Sequence, residues 1–191
     1  MTTTRGPARR RSYGQVFQGQ AIDGQPLLHG VFNEHQVRAA AGLTMVLGAL
    51  AFAEAALGKV YWPIQFTTLL FAVEFAARVM HGIAVSPLGI VAAWLVRGRP
   101  PQWVSAKPKR FAWSLGLAMS LAMAAITNLG IRGTLPLAIC VVCLVLMWLE
   151  AVLGLCLGCE IHAFMVGRGW VAQDDAIEIC GNGVCRPSEP R

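Results

Sequence analysis

Four apolar runs, each about long enough to cross a bilayer, constrain this chain more than any other feature. At about 1.5 Å rise per residue, some 20 apolar residues cover a hydrocarbon core of about 30 Å. The runs predict helices over roughly 37–57, 62–80, 111–129 and 134–158. A shorter apolar segment, 87–96, cannot span and is expected to lie in the interface. The predicted fold class is therefore an all-α membrane protein with four transmembrane helices plus a short interfacial helix. At 55% hydrophobic and 14% charged, the chain is too apolar for an ordinary soluble domain.

Local signals set the ends of these segments. Asn33 suits the N-cap of a helix starting at Glu34, with the acid in the first turn. Tyr61-Trp62-Pro63 pairs interfacial aromatics with a proline tolerated in a first turn. Ser86-Pro87 reads as an N-cap followed by proline. Residues 1–25 are polar, Arg-rich and aperiodic, predicting a disordered basic tail. Residues 26–165 form the membrane domain, and 166–191 a polar C-terminal tail. The prolines at 100, 101 and 108 argue against a continuous helix over 97–110.

The net charge of +6 has to be read by position. It collects in the N-terminal tail (Arg5, Arg9, Arg10, Arg11) and in Arg97, Arg99, Lys107, Lys109 and Arg110. The other two loops carry only Lys59 and Arg132. The positive-inside rule then places both termini in the cytoplasm. The basic residues are not interleaved with aromatics, so the bilayer, and no nucleic acid, is the expected partner.

Within the spans, Glu74 and Arg78 share a helix face at i,i+4. Glu150 falls at a similar depth on the fourth span, so either acid can serve as the partner of Arg78. An unpaired charge there costs about 2.5–3.5 kcal/mol, which predicts an intramembrane ion pair. Glu54 lies near the outer end of the first span.

The six cysteines form three pairs. Cys140 and Cys143 read as small packing residues. Cys156 and Cys159 form a C-x-x-C, the spacing of a redox dithiol or of half a metal site. Gly154 and Gly158 around it form a small-xxx-small pattern suited to close helix approach. On an unbroken fourth helix the pair falls at the C-terminus, where the helix dipole disfavours thiolate. Nearby cations, such as Arg38, Arg168 or the 97–110 loop, or a break at Gly154, would have to offset that. Cys180 and Cys185 flank an Asn182-Gly183 turn signal and are expected as accessory thiols. A zinc site from Cys156, Cys159, Cys180 and Cys185 is formally available, but its second spacing is loose. No cofactor is expected, and no catalytic motif beyond the C-x-x-C is present.

Asn33-Glu34-His35-Gln36-Val37-Arg38, Ser86-Pro87, Pro108-Lys109-Arg110-Phe111-Ala112 and Gly154-Leu-Cys156-Leu-Gly158-Cys159-Glu160 occur in that order. As a set they resemble the bacterial membrane proteins grouped as domain of unknown function 4395, over roughly residues 26 to 165. His162 stands near where relatives are expected to carry an aromatic residue. The resemblance implies a four-helix membrane protein and, from genes often found beside such members, a thiol- or sulfur-handling role. Thioredoxin-like or sulfurtransferase proteins are the implied cytoplasmic partners. The expected function is a membrane component of thiol-redox or sulfur relay through Cys156 and Cys159. The alternatives are an anchoring subunit whose cysteines only pack, or a small-solute transporter using Glu74, Arg78 and Glu150.

Overall fold

The computed structural model describes residues 21–22, 25–26, 30–100, 102–171, 180–181 and 184–185. The expectation of a disordered tail over 1–25 falls almost wholly outside them. Among the described residues, α1 (Glu34–Ala56), α2 (Trp62–His81), α4 (Ala106–Asn128) and α5 (Thr134–Trp148) are long apolar helices; α5 is extended to Leu153 by a π-turn. Each is long and apolar enough to cross a membrane. Two shorter helices, α3 (Pro87–Leu95) and α6 (Leu157–Gly167), complete the helical set.

The caps lie where the side-chain chemistry requires. Asn33 Oδ1 accepts from the His35 amide at 3.2 Å and opens α1. Ser86 Oγ accepts from the Gly89 amide at 3.2 Å and opens α3. α4 starts at Ala106, five residues before the expected 111. The proline argument against helix fails at Pro108 because that residue occupies the first turn, where no amide needs an intrahelical acceptor. The early start draws Lys109 into the bundle.

A ribbon closes one end. β3 (Val31–Asn33) pairs antiparallel with β4 (Trp103–Ser105), Phe32 opposite Val104. It places the starts of α1 and α4 side by side, joined by the Glu34 amide to the Gln102 carbonyl at 2.7 Å. There are also two minimal hairpins: β1 (Ala21–Ile22) with β2 (Gln25–Pro26), and β5 (Cys180–Gly181) with β6 (Val184–Cys185). β6 lies beside β4. The core at this end includes Phe32, Val37, Phe75, Ile83 and Trp113. α2 and α4 pack along each other, α1 packs on α3 and α5, and α6 on α4. α4 barely touches α5, which leaves a cavity between them.

The fourth span is not the unbroken helix expected to residue 158. Leu149–Leu153 form a π-turn, and Gly154 follows at φ 70°. The Gly154 amide donates to Glu150 O and the Leu155 amide to Leu149 O. This is a Schellman-type closure one residue wider than usual, as a π-turn requires. Only a residue at ease in the left-handed region ends a helix in this way.

Candidate functional site

Two buried charge clusters sit at the ribbon end of the bundle. In the first, Arg78 Nε and Nη2 donate to Glu74 Oε1 at 2.9 and 2.7 Å, and Nη2 reaches Thr44 Oγ1 of α1 at 3.4 Å. Glu74 Oε2 accepts from the Leu88 amide at 3.0 Å. The carboxylate thus pairs a cation within α2 and also satisfies an orphan amide of α3. The predicted i,i+4 pair forms, and Glu150 is not its partner.

Glu150 belongs to the second cluster. Lys109 Nζ lies 3.0 Å from Glu34 Oε2 and donates to Glu150 Oε1 at 3.1 Å. The three side chains come from α4, α1 and the π-turn, and all are buried. Sequence reasoning counted Lys109 as a loop charge and Glu34 as a dipole-favoured first-turn acid. The signal that could have joined them is the exclusion of Lys109 from any loop once Pro108 is read as a first-turn proline. Glu54, Cys140 and Cys143 take no part in either cluster; the two cysteines are half-buried.

The dithiol sits against this second cluster. Because the chain breaks at Gly154, Cys156 is the N-cap of α6 and not part of a helix C-terminus. Its Sγ accepts from the Cys159 amide at 3.3 Å. This reverses the electrostatics expected from an unbroken helix: the dipole at an N-terminus favours a negative sulfur. Lys109 acts electrostatically on both thiols. The Cys159 thiol is held well above its ordinary range, first by its hydrogen bond with Cys156 and then by burial. The arrangement distinguishes the two sulfurs: Cys156 receives the donor and the dipole, while Cys159 holds its proton.

The break is itself braced. Arg38 of α1 donates to the Ala151 carbonyl at 3.2 Å and the Val152 carbonyl at 2.6 Å, taking acceptors left over at the helix end. Arg38 therefore stabilises the break, and the cation beside the thiols is Lys109. Gly158 sets the other contact: a Cβ there would lie 2.5 Å from Ala112 Cβ and 2.7 Å from Ala112 Cα. Any side chain at 158 would push α6 off α4 and move the dithiol away from Lys109. His162, one turn further on, packs against Phe111 with ring centroids 5.7 Å apart.

The dithiol is 8% exposed at Cys156 and 7% at Cys159. Cys156 borders two spaces. One is a cleft of about 20 Å³ shared with Glu34, Lys109, Gly154, Cys159 and Glu160. The other is the cavity of about 360 Å³ between α4 and α5, in which Glu150 and Cys156 mark one end. A family model described as "Domain of unknown function (DUF4395)" matches residues 32–166. The chain belongs to that family. The matched segment contains Glu34, Lys109, Glu150 and both cysteines of the C-x-x-C, and it stops short of Cys180 and Cys185. No curated protein and no solved structure matches the chain.

Among the described residues no group of three or more His, Cys, Asp or Glu is placed to hold a metal. The backbone register sets Cys180 opposite Cys185. Their side chains fall outside the described residues, and with them the question of a four-thiolate zinc set.

Proposed function

We propose that this protein is a membrane thiol-redox or sulfur-relay component in which Cys156 is the exchanging sulfur and Cys159 resolves it. One observation carries the reading: Cys156 caps the N-terminus of α6 beside Lys109, which Glu34 and Glu150 hold in place. A cap position, a backbone donor and a buried cation together are the setting in which a thiolate forms. The charge bias supports an orientation with both termini and the dithiol at the cytoplasmic side of a bacterial plasma membrane. It survives the removal of Lys109 from the loop, because Arg97 and Arg99 remain there and Lys107 stands in the first turn of α4 at the same end. The partners of this reading are thioredoxin-like or sulfurtransferase proteins. Such a partner reaches the buried sulfurs when the segment Gly154–Leu155 swings away, and the π-turn and the left-handed glycine make this the weak point of the span.

The burial of both thiols favours one other reading, an anchoring subunit whose cysteines only pack. Of the transporter residues Glu74, Arg78 and Glu150, only Glu150 borders the cavity, and the other two are closed on each other beside α3. The deciding experiment traps mixed disulfides with a thioredoxin-like protein lacking its own resolving cysteine, in inside-out and right-side-out vesicles. A mixed disulfide formed from the cytoplasmic face, absent in Cys156→Ser and accumulating in Cys159→Ser, is expected. Identical behaviour of wild type and both serine variants leaves the packing reading standing.

A further inference from the structure

A dithiol that cycles needs an electron acceptor that can reach it. The two spaces beside Cys156 differ in what they admit. The cleft of about 20 Å³ holds about one water molecule. The cavity of about 360 Å³ is of the size that encloses a small organic ligand. Its walls are almost entirely apolar, and Thr44, Thr68 and Ser120 among its few hydroxyls already donate to backbone carbonyls of their own helices. Its one charged group, Glu150, stands with Cys156 at one end, and Cys140 and Cys143 line it as well. Leu115, Ala118, Leu157 and Ile161 line it and are exposed on the bundle surface, so its mouth faces the side that lipid covers.

We propose that this cavity is a binding site for a lipid-soluble quinone, whose ring is reduced by the Cys156–Cys159 dithiol. This rests on the dithiol reading above and names its acceptor. The chemistry fits the order of the sulfurs. The Cys156 thiolate adds to a ring carbon and forms a C–S bond, while the ring C=C π bond breaks and its electron pair moves onto a carbonyl oxygen. The Cys159 sulfur then attacks Cys156 Sγ; the S–S bond forms, the C–S bond breaks, and its electron pair stays on the ring. The two protons released by the thiols complete the hydroquinone. In sum, two thiols and one quinone give one disulfide and one hydroquinone. Lys109 supplies the positive charge that the thiolate requires, and its two carboxyl groups can carry the thiol protons towards the ring without adding to their number. An apolar tail would lie between α4 and α5, the two helices that fail to pack on each other.

The test uses the full chain in lipid nanodiscs, with the dithiol first reduced. A short-tailed ubiquinone or menaquinone is added, and hydroquinone absorbance and disulfide formation at Cys156–Cys159 are followed together. One hydroquinone per disulfide is expected. Cys159→Ser should hold a covalent quinone adduct on Cys156, visible as an added mass. Ala118→Phe, at the mouth, should slow the quinone reaction tenfold or more. Diamide, a small hydrophilic oxidant, provides the separating control. If diamide forms the disulfide in wild type and Ala118→Phe alike but excess quinone leaves wild type reduced, the cavity holds acyl chains and the quinone proposal is overturned. If diamide fails as well, the dithiol reading itself falls.

Discussion

The two buried charge clusters lie at the same end of the bundle and do opposite things. The Glu74–Arg78 pair is closed: both carboxylate oxygens are engaged, the arginine also holds Thr44, and neither residue borders either space beside Cys156. The Glu34–Lys109–Glu150 cluster is open. It sets two carboxyl groups around one ammonium, shares a cleft with two thiols, and borders both spaces beside Cys156. A pair that satisfies itself fixes helix register; a cluster with charge directed toward a reactive group tunes that group. The backbone follows the same division, with regular helix around the closed pair and a π-turn, a left-handed glycine and a new helix N-terminus around the open cluster. Local irregularity is concentrated where chemistry would need it.

Breaking either cluster tests the distinction. The largest effect is expected at Arg78→Met, which strands Glu74 in the core and should cost about 3–5 kcal/mol. The midpoint of unfolding in a denaturing detergent titration measures it. Glu74→Gln combined with Arg78→Met should recover much of that loss. An Arg78→Met protein as stable as wild type would remove the pair from its structural role.

Lys109→Met should also destabilise, by about 3 kcal/mol, and adding Glu34→Gln should return part of it. The reactivity of Cys156 should not return: its methanethiosulfonate rate at neutral pH is expected to stay down tenfold or more in both variants. Equal rates in Lys109→Met and wild type would make this cluster as purely structural as the first.

Gly158→Ala tests the spacing. Its new methyl meets Ala112 backbone and side chain, and overpacking of this kind costs about 1–3 kcal/mol. The Cys156 rate should fall with it, since α6 must shift from Lys109.

The smallest effect is a pH profile. A raised Cys159 thiol stays protonated through neutrality, so in a variant with Cys140, Cys143, Cys180 and Cys185 replaced by serine, alkylation of the reduced protein should add one group, at Cys156. The second group should enter only as pH rises beyond the ordinary thiol value of 9.0. Mass spectrometry after timed alkylation reads both steps, and two equal additions at neutral pH would erase the distinction between the sulfurs.

Much of the fold was legible one segment at a time. Apolar length marks the spans, Asn33 and Ser86 announce their helices by cap chemistry, and i,i+4 spacing pairs Glu74 with Arg78. The candidate site was legible only in part. C-x-x-C draws attention to Cys156 and Cys159, yet a periodic reading continues the fourth helix through them and assigns the wrong end of the dipole. Gly154 carries the break, but a glycine in an apolar run ends a helix only if something accepts the resulting turn, and here that is Arg38 from α1. Lys109 was hidden for the same reason, its partners lying 75 and 41 residues away.

What the sequence determined by itself is whatever short-range physics decides: span length, helix caps, the uneven charge of the loops and the contacts within one turn. What the tertiary structure decided is which buried charges meet, where the fourth span breaks, and which sulfur faces a helix N-terminus. Those depend on the packing of α1, α4 and α6 against one another. The desolvation of a charge, which makes its partner obligatory, exists only once the helices have closed around it.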